Sequence, residues 1–195
     1  RRAVDLGIEL HFERVEIDVE RINARVKDLA TAQSADIRAR LAGEGVRIIR
    51  GRATLAPTAS GMAHHEVNVV TPSGGEQSFE ADVVLVATGA SPRVLESAQP
   101  DGEKILTWRQ LYDLEELPTH LVVVGSGVTG AEFVHAYTEL GIKVTLVSSR
   151  DRVLPHEDED AALVLEDALL DRGVSLVKRA YADKVERTES GVVVR

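Results

Sequence analysis

Two short, uninterrupted apolar runs, Leu121–Val124 and Val144–Val147, flank a segment of helical period. Runs of that length without alternation predict strands covered on both faces. Between them lie a glycine turn (Gly125, Gly127, Gly130) and a helix that ends near Leu140–Gly141. The whole reads as one βαβ unit. Upstream, Ile22, Val26, Leu29, Ala32, Ile37 and Leu41 recur near helical spacing with charged residues between them, which predicts a long amphipathic helix from Val19 to Gly43. Arg1–Leu6 reads as a helix capped by Gly7, before a short strand Ile8–Phe12. Val46–Ile49 reads as a strand, followed by Gly51–Arg52–Ala53 and a loop around Pro57. Glu66–Val70 and Phe79–Asp82 flank the turn Thr71–Gly75 and predict an antiparallel hairpin. Asp82–Gly89 is a third continuous apolar run and predicts a further strand covered on both faces. A short helix is expected around Trp108–Leu114, with Trp108 and Tyr112 on one face in a core, and Pro118 marks a domain boundary. Beyond Pro155, a helix Ala161–Asp171 leads to strands Val174–Val177, Asp183–Arg187 and Gly191–Val194, with a turn at Ser190–Gly191.

Composition narrows what such a chain can do. A net charge of −9 over 195 residues argues against a nucleic-acid partner, because phosphate backbones require a basic face. No apolar run reaches about 18 residues, so no membrane span is expected, and Glu9 interrupts any signal-peptide core. A cytoplasmic protein is the default expectation. The absence of cysteine excludes disulfides, thiolate metal sites and a thiol nucleophile within this chain. The sequence opens without an initiator Met or a leading strand and closes inside an apparent strand, so an internal piece of a longer chain is expected.

The glycine pattern carries the chemistry. Gly-x-Gly-x-x-Gly is a weak signal alone, but here it leaves a strand and opens a helix inside a βαβ unit of about 30 residues, the context of a dinucleotide site. Gly125 would make the tight turn, Gly127 would admit a pyrophosphate to the backbone, and Gly130 would let the helix pack on the sheet. The phosphates would lie over the free N–H groups of the helix N-terminus, with Ser126, Val128 and Thr129 completing the loop. NAD sites carry Asp or Glu roughly 20 residues further on, facing the ribose hydroxyls. At that point this chain has Ser148, Ser149 and Arg150. No carboxylate stands there to repel a 2′-phosphate; Arg150 is either its charge-assisted partner or a solvated loop residue. Acceptance of NADPH, alongside NADH, is therefore expected.

Other polar clusters read more plainly. His64 and His65 would point to opposite faces of a strand and cannot converge on one ion. His135 follows Glu132 by three residues on one helix face and reads as a packed or surface residue. His156, Glu157, Asp158 and Asp160 read as a solvated acidic helix start that complements the dipole, not as a cation site.

With Ala-Thr-Gly at 87–89, Gly-Ser-Gly-Val-Thr-Gly-Ala-Glu at 125–132 and Val-Leu-Pro at 153–155 in this order and spacing, the chain resembles the flavoprotein disulfide reductase family. Its nearest likeness there is to the lipoamide-dehydrogenase-like branch that acts as an NAD(P)H:quinone reductase. The resemblance implies an α/β fold of Rossmann-like FAD- and NAD(P)-binding domains, a parallel sheet with a small antiparallel meander, both incomplete at the chain ends. Residues 1–117 would be the C-terminal part of the FAD-binding domain and 118–195 a truncated NAD(P)-binding domain. It further implies that Arg52 and Ala53 meet the adenine of FAD and that Thr88 and Gly89 close over its phosphate-ribose region. Gly125 to Gly130 would hold the NAD(P) pyrophosphate, and Glu132 would reach the nicotinamide amide. Ser148 takes the position that is Glu in many NAD-using members. The family's first FAD-binding glycine motif, its redox cysteine pair and its interface domain have no counterpart in these residues. The implied activity is hydride transfer from NAD(P)H to flavin and on to a quinone, in a homodimeric parent. A dihydrolipoyl dehydrogenase with its cysteines outside this chain, or a non-catalytic NADP(H)-binding fragment, are the alternatives.

Overall fold

A computed structural model describes residues 16–57 and 64–195 of the chain. The helix and strand expected within residues 1–12 lie outside the described residues. The chain divides into two compact units, one comprising Pro92–Arg195 with the chain up to Val26, the other Lys27–Ser91.

The larger unit contains the expected βαβ motif. Strands β4 (His120–Val124), β5 (Lys143–Val147) and β6 (Ser175–Val177) form a parallel sheet in that order, with Val124 beside Val147 and Val147 beside Val177. Helix α2 (Val128–Glu139) links β4 to β5, and α3 (Glu159–Asp171) links β5 to β6. Each helix buries one stripe: Ala131, Val134 and Tyr137 from α2, Ala162 and Leu169 from α3. These stripes meet Val144, Leu146, Val153 and Val174 in one core, where Leu146, Leu169, Val134, Val144 and Val153 are fully buried. Burial of each such side chain contributes about 1.5–3 kcal/mol, so this core dominates the unit's stability. Gly141 and Gly173 take left-handed φ values of 80° and 86°, which end the two helices sharply and turn the chain into the next strand.

The preceding segment docks on the same core. A single 3₁₀ turn, Gln110–Asp113, stands where a short helix was expected, and buries Leu111. Tyr112 packs edge-on to Phe133 at 5.7 Å, but Trp108 is exposed, with the Arg109 guanidinium over its ring at 5.3 Å. The shared-face expectation therefore fails for Trp108: one 3₁₀ turn spanning 110–113 does not carry residue 108 onto the buried side. Buried Asn23 donates to the carbonyls of Leu111 (3.3 Å) and Leu114 (3.0 Å), and the Tyr137 hydroxyl donates to Leu111 (3.5 Å). Burial, with Tyr112 adjacent, raises the Tyr137 phenol's pKa.

Farther along, β7 (Val185–Arg187) and β8 (Val192–Val194) form an antiparallel hairpin. A carboxylate–arginine clamp ties it to the 101–105 loop. Asp101 Oδ1 accepts the backbone N–H groups of Glu103, Lys104 and Ile105 at 2.8–2.9 Å, and Arg187 pairs with both Asp101 and Glu103.

The smaller unit holds the antiparallel sheet. Strand β1 (Arg52–Leu55), unassigned in the sequence pattern, pairs with β2 (His65–Val70), which pairs with β3 (Glu76–Ala81) around the expected turn. Two expected strands are absent. Residues 46–49 are not a strand, because β1 occupies that edge of β2; instead Arg47 lies over the Phe79 ring at 5.2 Å. Residues 82–89 are also not a strand, and Val83, Leu85 and Val86 are 82%, 88% and 71% exposed. An apolar run needs a pairing strand and covering faces to become a buried strand, and among the described residues neither lies beside it.

Helix α1 (Val19–Gly43) passes from one unit into the other with the expected bounds. Asp18 caps its start by accepting the Arg21 N–H at 2.8 Å, and Gly45, with φ of 78°, turns the chain beyond its end. Only Val19 and Asn23 are buried; the apolar stripe Leu29, Ile37 and Leu41 is exposed.

Candidate functional site

The glycine turn sits at the carboxyl edge of the parallel sheet, where ligands bind in open α/β folds. The Gly125 N–H donates to Val147 C=O at 2.9 Å, tying the turn to the end of β5. Gly125 has φ of 113°, a conformation L side chains avoid. At Gly130 a Cβ would stand 1.9 Å from the Gly125 carbonyl oxygen, so the helix can approach the turn only without one. Gly127 differs from both. Its φ of −72° suits any residue and no protein atom lies within 4 Å of where its Cβ would be, so nothing in the chain itself requires glycine there. What its missing side chain leaves is open space above α2. That helix has no side-chain cap at its start, whereas Asp158 caps α3 by accepting the Ala161 N–H at 3.1 Å. Uncapped N–H groups at an exposed helix start, with Gly125, Gly127, Val128 and Thr129 all exposed, make an anion cradle. The cradle fits a dinucleotide pyrophosphate.

A second loop, residues 148–158, is fastened to the first. Ser126 and Ser148, both buried, join hydroxyl to hydroxyl at 2.7 Å, and the Leu154 N–H donates to Ser126 C=O at 2.8 Å. The Ser148 hydroxyl also accepts the Arg150 N–H at 3.0 Å. Ser148 is thus held inside the protein, while Ser149 and Arg150 are exposed. Leu154 has φ of 50°, a strained value for leucine, held by its own N–H bond and by Glu157 donating to its carbonyl at 3.0 Å. Arg152 closes the loop by pairing with Glu159 at 3.1 Å and donating to the Pro155 and Glu157 carbonyls.

Glu166 on α3 was legible only as a helix residue, yet it braces this edge. It is 6% exposed; one oxygen accepts the Val153 N–H at 3.1 Å and the other receives the Lys178 ammonium. A carboxylate at a core-facing helical position between apolar neighbours was the available signal. Glu132 is exposed near the start of α2. His135 accepts a hydrogen bond from Arg172 at 3.3 Å, and His64 pairs with Asp82 at 2.8 Å.

The residues expected at the flavin lie in the smaller unit. Arg52 and Ala53 begin β1, and Thr88 and Gly89 lie in the unpaired 82–89 segment; all four are exposed. Gly89 has φ of 73° with open space where a side chain would stand, which suits close approach of a phosphate or ribose to its backbone.

Comparison with known proteins decides the family. The sequence profile described as pyridine nucleotide-disulphide oxidoreductase matches residues 7–195. The chain belongs to that family. Members of the pyridine nucleotide-disulphide oxidoreductase family are flavin-dependent oxidoreductases that use FAD and NAD(P)H. The chain is 60% identical over 194 residues to an NAD(P)H dehydrogenase (quinone) of Mycobacterium tuberculosis, covering 100% of this chain and 39% of that protein. It is 29% identical over 188 residues to a dihydrolipoyl dehydrogenase of Bacillus subtilis, covering 96% and 40%. Among solved structures it matches LpdA from Mycobacterium tuberculosis with a TM-score of 0.86 and 59% identity, over 99% of this chain and 41% of that one. The chain thus spans about two fifths of the length of these relatives. The α/β fold expected from the sequence is the family's fold.

Proposed function

We propose that this chain is the pyridine-nucleotide-handling part of an FAD-dependent NAD(P)H oxidoreductase that delivers electrons to a quinone-type acceptor. Residues 1–117 belong, in this reading, to the FAD-binding domain and 118–195 to the NAD(P)-binding domain. The observation that supports it most is Gly127, a glycine that the fold does not need, over a helix start that no side chain caps.

The Gly125–Gly130 loop holds the pyrophosphate through backbone N–H groups. Glu132, exposed near the start of α2, orients the nicotinamide through its carboxamide. Ser148 does not contact nucleotide; it fixes the Arg150 N–H and the Ser126 hydroxyl, and so sets the spacing between pyrophosphate loop and ribose loop. Ser149 and Arg150 face the adenosine ribose and accept a 2′-phosphate, since no carboxylate opposes it there. Arg52, Ala53, Thr88 and Gly89 would hold part of FAD. When bound, the flavin supplies the two-electron relay between nicotinamide and acceptor. The 60% identity to a protein named for quinone, against 29% to one named for dihydrolipoyl chemistry, favours the quinone reading.

The test is an absorbance spectrum of the purified protein on addition of NADPH and then of a quinone. A flavin band that NADPH bleaches and quinone restores supports the reading. A colourless chain that binds NADPH without turnover would leave it a binding module.

A further inference from the structure

We propose that Arg179, on the loop after β6, is a second guanidinium of the 2′-phosphate site and acts with Arg150 to select NADP(H). The inference rests on the reading above that the 148–150 loop receives the adenosine ribose.

Three backbone bonds place the two arginines side by side. The Ser148 N–H donates to Val177 C=O at 2.8 Å, the Ala180 N–H to Ser148 C=O at 3.0 Å, and the Arg179 N–H to Arg150 C=O at 3.0 Å. The parallel register ends at Val147 and Val177; beyond it the two chains stay hydrogen-bonded in an irregular turn, in which the Arg179 and Arg150 backbones are bonded to each other. Arg179 holds φ of 56°, one of two non-glycine residues with positive φ among those described; the other, Leu154, is in the loop that Arg179's neighbours touch. Such a backbone persists only where its surroundings over-determine it, and it clusters at ligand sites. The surroundings here are those three bonds and the buried Glu166, which joins Lys178, next to Arg179, to the Val153 N–H of the opposite loop.

Charge supports the same conclusion. The chain has 32 acidic and 23 basic residues, and Arg152, Arg172, Arg187 and Arg195 each pair with a carboxylate. Arg150 and Arg179 are both exposed, and among the described residues neither side chain has a carboxylate partner. Two exposed arginines without carboxylate partners, bonded backbone to backbone in an acidic chain, suit a phosphomonoester dianion, which one arginine neutralises only by half. The Ser148 hydroxyl, engaged inside the protein, leaves that charge to Ser149, Arg150 and Arg179.

The test is calorimetric titration of the full chain with NADPH and NADH, and with 2′,5′-ADP and 5′-AMP, for wild type, Arg150→Ala, Arg179→Ala and Arg179→Gly. Glycine adopts positive φ freely, so Arg179→Gly removes the guanidinium without disturbing the turn should alanine prevent folding. Either Arg179 variant is expected to weaken NADPH and 2′,5′-ADP about tenfold, a loss of one charge-assisted contact, and to change NADH and 5′-AMP less than about twofold. If Arg150→Ala weakens NADPH selectively and both Arg179 variants bind it as wild type does, the role of Arg179 is overturned and the ribose-loop reading stands. If wild type binds NADH at least as tightly as NADPH and no arginine variant discriminates, both fall together.

Discussion

Gly127 and Gly130 stand three residues apart in one turn and obey different constraints. At Gly130 a Cβ would collide with the Gly125 carbonyl, so Gly130→Ala must shift the helix or the turn. That change is expected to destabilise the chain by about 2 kcal/mol or more, read as a fall in the unfolding midpoint. At Gly127 the space is open and φ is ordinary, so Gly127→Val should leave far-ultraviolet dichroism and the midpoint unchanged while weakening nucleotide binding at least tenfold. Equal losses of stability in the two variants would refute the distinction. Ser148 shows what a sequence position hides. Its alignment with the ribose carboxylate was readable, but its burial and its bond to Ser126 depend on the fold of the whole 148–158 loop. Arg150, by contrast, is exposed as a phosphate partner must be. Arg150→Glu is expected to weaken NADPH by more than tenfold and NADH by much less, because it sets a carboxylate against the phosphate; equal effects on both would remove the phosphate role.

At the scale of elements, the βαβ unit was legible because local signals agreed. Apolar runs, glycine positions and helical period all point to β4, α2 and β5, and the structure extends each strand by only one residue. The runs 46–49 and 82–89 misled for a shared reason: apolarity announces burial, but strand formation depends on pairing edges that a local pattern does not contain. The brace at Glu166 was illegible too, since it joins residues 13 and 12 positions away on two different loops. Glu166→Ala would strip the Val153 N–H and the Lys178 ammonium of their acceptor. With Lys178 partly solvated, a loss of about 1–2 kcal/mol is expected, together with weaker NADPH binding. An unchanged unfolding midpoint would argue against the brace.

The Asp101–Arg187 clamp gives the β7–β8 hairpin a pH dependence. Three backbone N–H donors, then the Arg187 charge, hold the Asp101 carboxyl well below the usual carboxylate range. A depressed folded-state pKa contributes stability that is fully present above the ordinary Asp value and is lost as pH falls through that value toward the folded one. Asp101→Asn should therefore lower the unfolding midpoint at neutral pH, by about 1 kcal/mol equivalent, and the difference from wild type should shrink in strong acid. A difference independent of pH between neutrality and acid would contradict the clamp.

For the whole molecule, two units carry the two halves of the proposed chemistry unequally. The larger one has a closed core and the uncapped helix start with open space at Gly127 that the proposal assigns to the nucleotide. In the smaller one the candidate flavin residues lie on β1 and on an exposed apolar segment. The chain spans 39% of the M. tuberculosis NAD(P)H dehydrogenase (quinone), and the contrast between its units makes nucleotide binding the property most directly tied to these residues. The decisive measurement is titration of NADPH into the purified chain and into Gly127→Val, with folding verified on the same samples. Saturable binding of one NADPH per chain, lost in the folded variant, is the predicted result. A folded wild-type chain that binds no pyridine nucleotide, or a Gly127→Val chain that binds it undiminished, would contradict the assignment of the Gly125–Gly130 cradle.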